Sequence, residues 1–333
     1  MGEVWTHPRH ILSSSQFERP WLEYVFKLTN EIRKYNRTKE GLLYLAALLP
    51  HRRIMLYFTQ PSTRTFLSFH SACQILGAKV SEVRDASVSS EKKGESIEDS
   101  LRTFSSYVDL IIMRSPVAGL CDRIAAMLDQ TPRSIPIINA GSGPDEHPTQ
   151  ALLDLYTLSR SFLEQGGIDD KHICFVGDLK RGRTVRSLAL MLTQFQRIKM
   201  TFVSPERFAI SGDLRAKMMA CPNVEIYETC ELKDILPHAD AIYMTRLQDE
   251  YDVGEESKAV DYSKYSLKYR DLSCLQQDCV ILHPMPRRDE LDPAIDFDPR
   301  ARYWRQERNG MWIRVALLTI LLGVDHHILM PEL

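Results

Sequence analysis

The stretch MLYFTQPSTRTFLSFHSA, residues 55–72, passes from a short apolar run through a Ser/Thr cluster into a second apolar pattern. Met55–Phe58 reads as a strand, and Ser62–Ala72 as a helix opened by its hydroxyl-bearing residues. The same order returns along the chain. Leu110–Met113 precedes a helix through Val117–Met127, and Ile135–Ile138 precedes the turn-rich segment Asn139–Pro144 and a helix over Pro148–Leu163. After the polar segment Glu164–Lys171 the theme resumes. His172–Val176, Met200–Val203, Val224–Tyr227, Ala241–Met244 and Cys279–Leu282 are strand candidates, and Val185–Leu192 lies in a helix. Strand–turn–helix units favour parallel sheets covered by helices. The expected fold class is therefore α/β, two lobes, each a mostly parallel β-sheet flanked by helices. The lobes are expected at 1–150 and 151–310, with a C-terminal helix in 311–333 packing back on the first.

Composition agrees with two lobes. A chain of 333 residues exceeds the size at which one core usually keeps growing. Lys plus Arg number 42 and Asp plus Glu 44, a formal charge of −2, which argues against a dedicated polyanion binder and leaves room for a local basic pocket. No nucleic-acid partner is expected. MGEVWTHPRH lacks a signal-peptide pattern, and the apolar run Val315–Val324 is too short to span a bilayer, so no membrane role is expected. The seven cysteines form no CxxC pair, and reduced, mostly buried thiols in a cytoplasmic protein are the simplest reading. Neither they nor the ten histidines form a metal-type cluster, so no metal and no cofactor are expected.

Three segments carry the chemistry of anion binding. A helix amino terminus leaves N–H groups unpaired, and Ser62, Thr63 and Thr65 add hydroxyls there while Arg64 adds a guanidinium fork. Alone, such a start is also an ordinary helix cap. Arg114 follows the Leu110–Met113 strand, at the end where parallel sheets place ligands. His147 and Gln150 lie three positions apart at a helix start, and His147 can donate to a carbonyl oxygen. The segment contains neither GxxxxGK[ST] nor GxGxxG, so it is not a glycine-rich nucleotide loop.

PSTRTFLSF, HPTQALLDLYT, VGDLKRGRTVRSL, MTRLQ and HPMPRRDEL, in that order, resemble the aspartate and ornithine carbamoyltransferase superfamily, and the full set resembles its aspartate branch. The resemblance runs from about residue 17 to residue 322. It implies the carbamoyltransferase fold, with a carbamoyl phosphate-binding lobe and an aspartate-binding lobe. It also implies carbamoyl transfer to L-aspartate in pyrimidine biosynthesis, without a metal or covalent nucleophile. Ser62, Thr63, Arg64, Thr65 and Arg114 match the carbamoyl phosphate site, and His147 and Gln150 the pair on the carbamoyl group. Ser89 and Lys93 match a loop that reaches a neighbouring subunit's active site, which implies a homotrimer with shared sites and leaves room for regulatory subunits. Arg183, Arg246 and Gln248, with Lys93, match the aspartate-binding set, and Met285 a backbone contact to substrate. Arg64, Thr65, Arg114 and His147 are the implied catalytic groups.

Several positions depart from the family pattern. Gln60 stands where Glu is usual and Tyr251 where Arg is frequent, which removes an expected closing contact between lobes together with one of its partners. His70, Ser115 and Arg186 are also changed, and the segment after Tyr251, DVGEESKAVDYSKYS, is acidic. These changes leave two alternatives to aspartate transfer: a different amino-acid acceptor, or a catalytically weak assembly subunit.

Overall fold

The computed structural model describes residues 6–85, 94–143, 146–249, 252 and 260–330. The chain divides into two units, the first formed by Met1–Thr149 with Gly310–Leu333 and the second by Gln150–Asn309.

In the first unit, helices α1 (Arg19–Tyr35) and α2 (Lys39–Ala46) precede strand β1 (Arg53–Phe58), α3 (Thr63–Ile75) and β2 (Lys79–Val83). Then come α4 (Ile97–Ser105), β3 (Leu110–Arg114), α5 (Leu120–Asp129) and β4 (Ile137–Asn139). The sheet order is β2-β1-β3-β4, and every pair is parallel. β3, Leu-Ile-Ile-Met-Arg, is buried along its whole length, as a strand covered by helices on both faces must be. Its neighbours β1 and α5 supply Met55, Tyr57, Ile124 and Leu128 to the same core. β2 is an edge strand, and its Lys-Val-Ser-Glu-Val sequence is polar enough to hide it from a hydrophobicity pattern.

The second unit opens inside α6 (Pro148–Ser161) and continues through β5 (His172–Val176), α7 (Arg183–Leu192), β6 (Ile198–Val203), α8 (Gly212–Met219) and β7 (Val224–Thr229). The short α9 (Leu232–Ile235), β8 (Ala241–Met244) and β9 (Val280–Leu282) come next, and the sheet is all parallel in the order β7-β6-β5-β8-β9. Phe175 and Phe202 stack across β5 and β6 with ring centroids 5.1 Å apart.

Helix α10 (Tyr303–Leu321) begins ahead of the expected 311–333, because the stretch from Arg305 to Asn309 is polar and shows no apolar period. Its latter part belongs to the first unit, where Arg314 Nη1 donates to Ser68 Oγ (2.6 Å) and the guanidinium lies 4.8 Å from the Phe69 ring. The four-residue α11 (His326–Leu329) follows, and Tyr44 of α2 donates to its His327 carbonyl (2.7 Å). No helix among the described residues is long and apolar enough to cross a membrane. None of the seven cysteines is in a disulfide, and burial pushes the Cys121 thiol up to about 12.

Phe202 is almost wholly buried against Phe175. Its replacement by Ala removes the stack and leaves a cavity, with an expected cost of about 3–5 kcal/mol. A urea titration followed by circular dichroism reads it as a lower midpoint.

Candidate active site

β1, β3 and β4 are adjacent and parallel, so the segments after them leave the sheet at one edge. After β1, Ser62 caps α3 with extended backbone, but its hydroxyl makes no capping bond. The first intrahelical bond is Phe66 N–H to the Ser62 carbonyl (3.2 Å), which leaves the N–H groups of Thr63, Arg64 and Thr65 directed outward. Thr65 is buried and Arg64 exposed. Beside Ser62 lies a cavity of about 330 Å³ lined by Phe58, Pro61, Phe66 and Arg84. The Arg84 guanidinium stacks 4.5 Å from the Phe66 ring centroid.

After β3, Arg114 is buried and its Nη1 donates to the Ala140 carbonyl (3.1 Å). After β4, the Asn139 carboxamide oxygen accepts the N–H groups of Gly141 (2.9 Å) and Ser142 (2.8 Å), folding the chain back sharply. Gly141 holds φ +95°, and a Cβ on it would lie 2.7 Å from both Arg114 Nη1 and His147 Cδ2. The two side chains are thus at most twice that distance apart, and only a glycine lets them meet. Glu146, the residue before His147, is itself held, its carboxylate accepting the Ser14 N–H (2.5 Å). The sequence pattern brings forward Arg114 and His147 but not Gly141, whose signal is a glycine two residues after a strand.

His147 immediately precedes α6, and Gln150 is its third residue. One turn on, Asp154 is wholly buried and accepts Gln150 Nε2 (2.9 Å), Gln306 Nε2 (2.6 Å) and the Tyr243 hydroxyl (2.7 Å). Burial pushes its carboxyl up to about 7, against the pull of those three donors.

In the second unit, β5, β8 and β9 are adjacent and parallel, and the segments carrying Arg183, Arg246, Gln248 and Met285 follow their carboxyl ends. Gly177, at φ +121°, lets the β5 exit pass Thr245, whose carbonyl would lie 2.2 Å from a Cβ there. Asp178 is fully buried and accepts Arg181 Nε (2.7 Å) and the Gln248 N–H (3.1 Å), which ties the β5 and β8 exits together. Burial raises its pKa while those donors oppose the rise. Arg181 also pairs with Asp252 (2.5 Å) and lies 4.5 Å from the Phe208 ring. Arg183 is the first residue of α7, and Arg246 Nη1 donates to the Leu247 carbonyl (2.9 Å). Met285 takes φ +55° before a cis bond to Pro286, and its N–H donates to His283 Nδ1 (2.8 Å). That fixes the tautomer: His283 Nε2–H donates to Glu290 (2.8 Å), and burial keeps the imidazole neutral.

A family described as "Aspartate/ornithine carbamoyltransferase, carbamoyl-P binding domain" matches residues 9–160, and its "Asp/Orn binding domain" counterpart matches 169–321. The chain belongs to the aspartate/ornithine carbamoyltransferase family. It is 39% identical over 318 residues to the chloroplastic aspartate carbamoyltransferase of Arabidopsis thaliana, covering 94% of this chain and 77% of that one. It is 40% identical over 321 residues to the aspartate carbamoyltransferase catalytic subunit of Clostridium kluyveri, covering 95% and 99%. Among solved structures, the catalytic subunit of M. jannaschii aspartate transcarbamoylase superposes with a TM-score of 0.83 at 35% identity, over 95% of this chain and 98% of that chain. The Trypanosoma cruzi aspartate transcarbamoylase in complex with N-(phosphonacetyl)-L-aspartic acid gives 0.84 at 33%, over 93% and 94%.

For this carbamoyltransferase, Ser89, Lys93 and Tyr251 lie outside the described residues. Gln60 is described: its N–H donates to the Arg114 carbonyl (3.2 Å), and its buried Oε1 has no hydrogen-bond partner among the described residues. His70 stacks on Phe66 at 6.0 Å, Ser115 N–H donates to Ser142 Oγ (3.0 Å), and Arg186 pairs with Asp213. No group of three or more His, Cys, Asp or Glu side chains suited to a metal occurs among the described residues.

Gly141→Ala is expected to displace both Arg114 and His147 and so to lower kcat/KM by about 100-fold, since misplacement on the ångström scale costs that much. Steady-state assays on the folded variant measure it. Asp154 gives a pH signature. Its folded pKa is raised from 3.8 to about 7, so its contribution to stability is full below the unfolded value and is lost as pH rises through 7. Thermal melts from pH 5 to 8 should show a steeper loss of Tm in the wild type than in Asp154→Asn.

Proposed function

We infer that the protein transfers the carbamoyl group of carbamoyl phosphate to the amino group of L-aspartate, giving N-carbamoyl-L-aspartate and phosphate in pyrimidine biosynthesis. The observation that carries the reading is the meeting of Arg114 and His147 around Gly141, on the sheet edge from which α3 also starts. A cation and an imidazole so placed suit one carbonyl oxygen, and the α3 start suits a phosphate.

In the mechanism, the Thr63, Arg64 and Thr65 N–H groups and the Ser62 hydroxyl hold the phosphate, with the Arg64 guanidinium as counter-charge. Arg114, His147 and Thr65 hold the carbonyl oxygen, and Gln150 the carbamoyl NH2. The neutral α-amine of aspartate attacks the carbamoyl carbon, and negative charge develops on the oxygen facing Arg114 and His147. Collapse of the tetrahedral species breaks the bond to the phosphate oxygen, and the departing phosphate takes the amine proton. Arg183 and Arg246, with Gln248 and Lys93, bind the two aspartate carboxylates, for which guanidinium forks are the strongest partners. The Met285 carbonyl orients the substrates. Residues 1–150 with the C-terminal helix form the carbamoyl phosphate-binding domain in this reading, and 151–310 the aspartate-binding domain.

The finer assembly is a cytoplasmic homotrimer in which Ser89 and Lys93 complete a neighbour's site. The buried thiols of Cys73, Cys121, Cys174 and Cys279 suit a reducing compartment.

An assay of the purified protein with carbamoyl phosphate and a panel of amino acids tests the acceptor. Aspartate should exceed every other acceptor, and faster turnover of another amino acid would overturn the reading. Arg114→Ala should lower kcat by about 10²–10³-fold, the effect of removing one oxyanion donor. For the shared site, Lys93→Ala and Arg64→Ala proteins should each be inactive alone, and subunit exchange between them should restore part of the activity. No recovery after verified exchange would sink the shared loop.

A further inference from the structure

We propose that Asp154 is a positioning residue that sets which end of the Gln150 carboxamide faces the carbamoyl group. It deepens, and rests on, the reading of Gln150 as the partner of the carbamoyl NH2.

Donors and acceptors around Asp154 can be matched one by one. Gln306 has its amide direction fixed independently, because its Oε1 accepts the His283 N–H (2.9 Å). Its NH2 end therefore points to Asp154 Oδ1, at 2.6 Å, and Oδ1 is an acceptor. Gln150 meets the same oxygen at 2.9 Å, so only its NH2 end can face Asp154. Its carbonyl Oε1 is then directed away from Asp154. A carbamoyl NH2 is a pair of donors and needs an acceptor, which Oε1 supplies. With the amide reversed, NH2 would meet NH2.

The anchor is rigid. Asp154 is wholly buried, one helical turn from Gln150, and its other oxygen accepts the Tyr243 hydroxyl at 2.7 Å. Tyr243 is itself fully buried on β8 and also bonds the Thr184 hydroxyl, next to Arg183 on α7. Charge on Asp154 is not required, since a proton on Oδ2 would face the phenolic oxygen and leave Oδ1 accepting both amides. The essential property is an acceptor at Oδ1.

Acetyl phosphate is the probe, because it replaces the carbamoyl NH2 by a methyl group and keeps the phosphate. The wild type should bind carbamoyl phosphate at least about tenfold more tightly than acetyl phosphate, the scale of one buried hydrogen bond. Competition against each, with inorganic phosphate in parallel, gives the ratio. In Asp154→Ala the ratio should fall to near one while inorganic phosphate binds as in the wild type. A merely structural role would weaken all three together and keep the ratio. Asp154→Asn retains an oxygen able to sit at the Oδ1 position and should restore the ratio, and a loss equal to that in Asp154→Ala would overturn the proposal. Gln150→Glu reads the contact from the other side without altering the buried residue. It keeps an acceptor but has no N–H for Asp154, and unchanged discrimination there would also overturn the proposal. If Gln150→Ala keeps the wild-type ratio, the underlying reading of Gln150 falls. If Gln150→Ala abolishes the ratio and Asp154→Ala preserves it, only the role of Asp154 falls.

Discussion

Two parallel neighbours in a sheet cannot be joined by a tight turn, and every strand pairing in both sheets of this protein is parallel. Each strand must therefore be followed by a crossover, and each crossover leaves from the same edge. Residues far apart in the chain reach one locality in this way, as Ser62, Arg114 and His147 do around β1, β3 and β4. The constraint also explains the composition of the central strands. Leu110–Met113 and Ile173–Val176 are apolar without alternation because helices cover both faces, which leaves the polar and charged side chains to the segments at the strands' carboxyl ends.

Three of the buried polar groups behind the edges of the second unit have their partners supplied. Asp178, Asp154 and His283 have no solvent exposure, and each bridges segments that are distant in sequence. An unpaired group of this kind would cost several kcal/mol, so each depends on keeping its partners. His283 illustrates the economy: one nitrogen accepts the Met285 N–H, the other donates to Glu290, and the ring stays neutral. Reversal of the Gln306 carboxamide would put its NH2 against the His283 N–H and its oxygen against Asp154.

The fold was readable because helix-covered parallel strands announce themselves as short apolar runs before Gly, Ser and Thr. The edge strand β2 was not, since an edge gains from Lys79 and Glu82 what a central strand would lose. Arg114, His147, Arg183 and Arg246 could be named from motif order, because the roles proposed for them belong to their own side chains. Gly141 and Asp154 escaped for opposite reasons. Gly141 acts through the absence of a side chain, and Asp154 acts through bonds to residues 89 and 152 positions away. Neither property has a local signature. The amino half of α10 was hidden because Gln306 and Asn309 are buried polar residues whose partners, Asp154 and Thr157, lie on another helix.

The two crossings between units fall within α6 and α10, so the second unit is one uninterrupted insertion between the parts of the first. On a ribosome this order matters. The inserted unit has all of its own residues as soon as Asn309 emerges, whereas the first still lacks the segment that supplies Arg314 to Ser68, Asp325 to Tyr24 and the His327 carbonyl to Tyr44. Although its sheet is synthesised first, the amino-terminal unit is the last to be completed, and until then the surface awaiting α10 is transiently exposed.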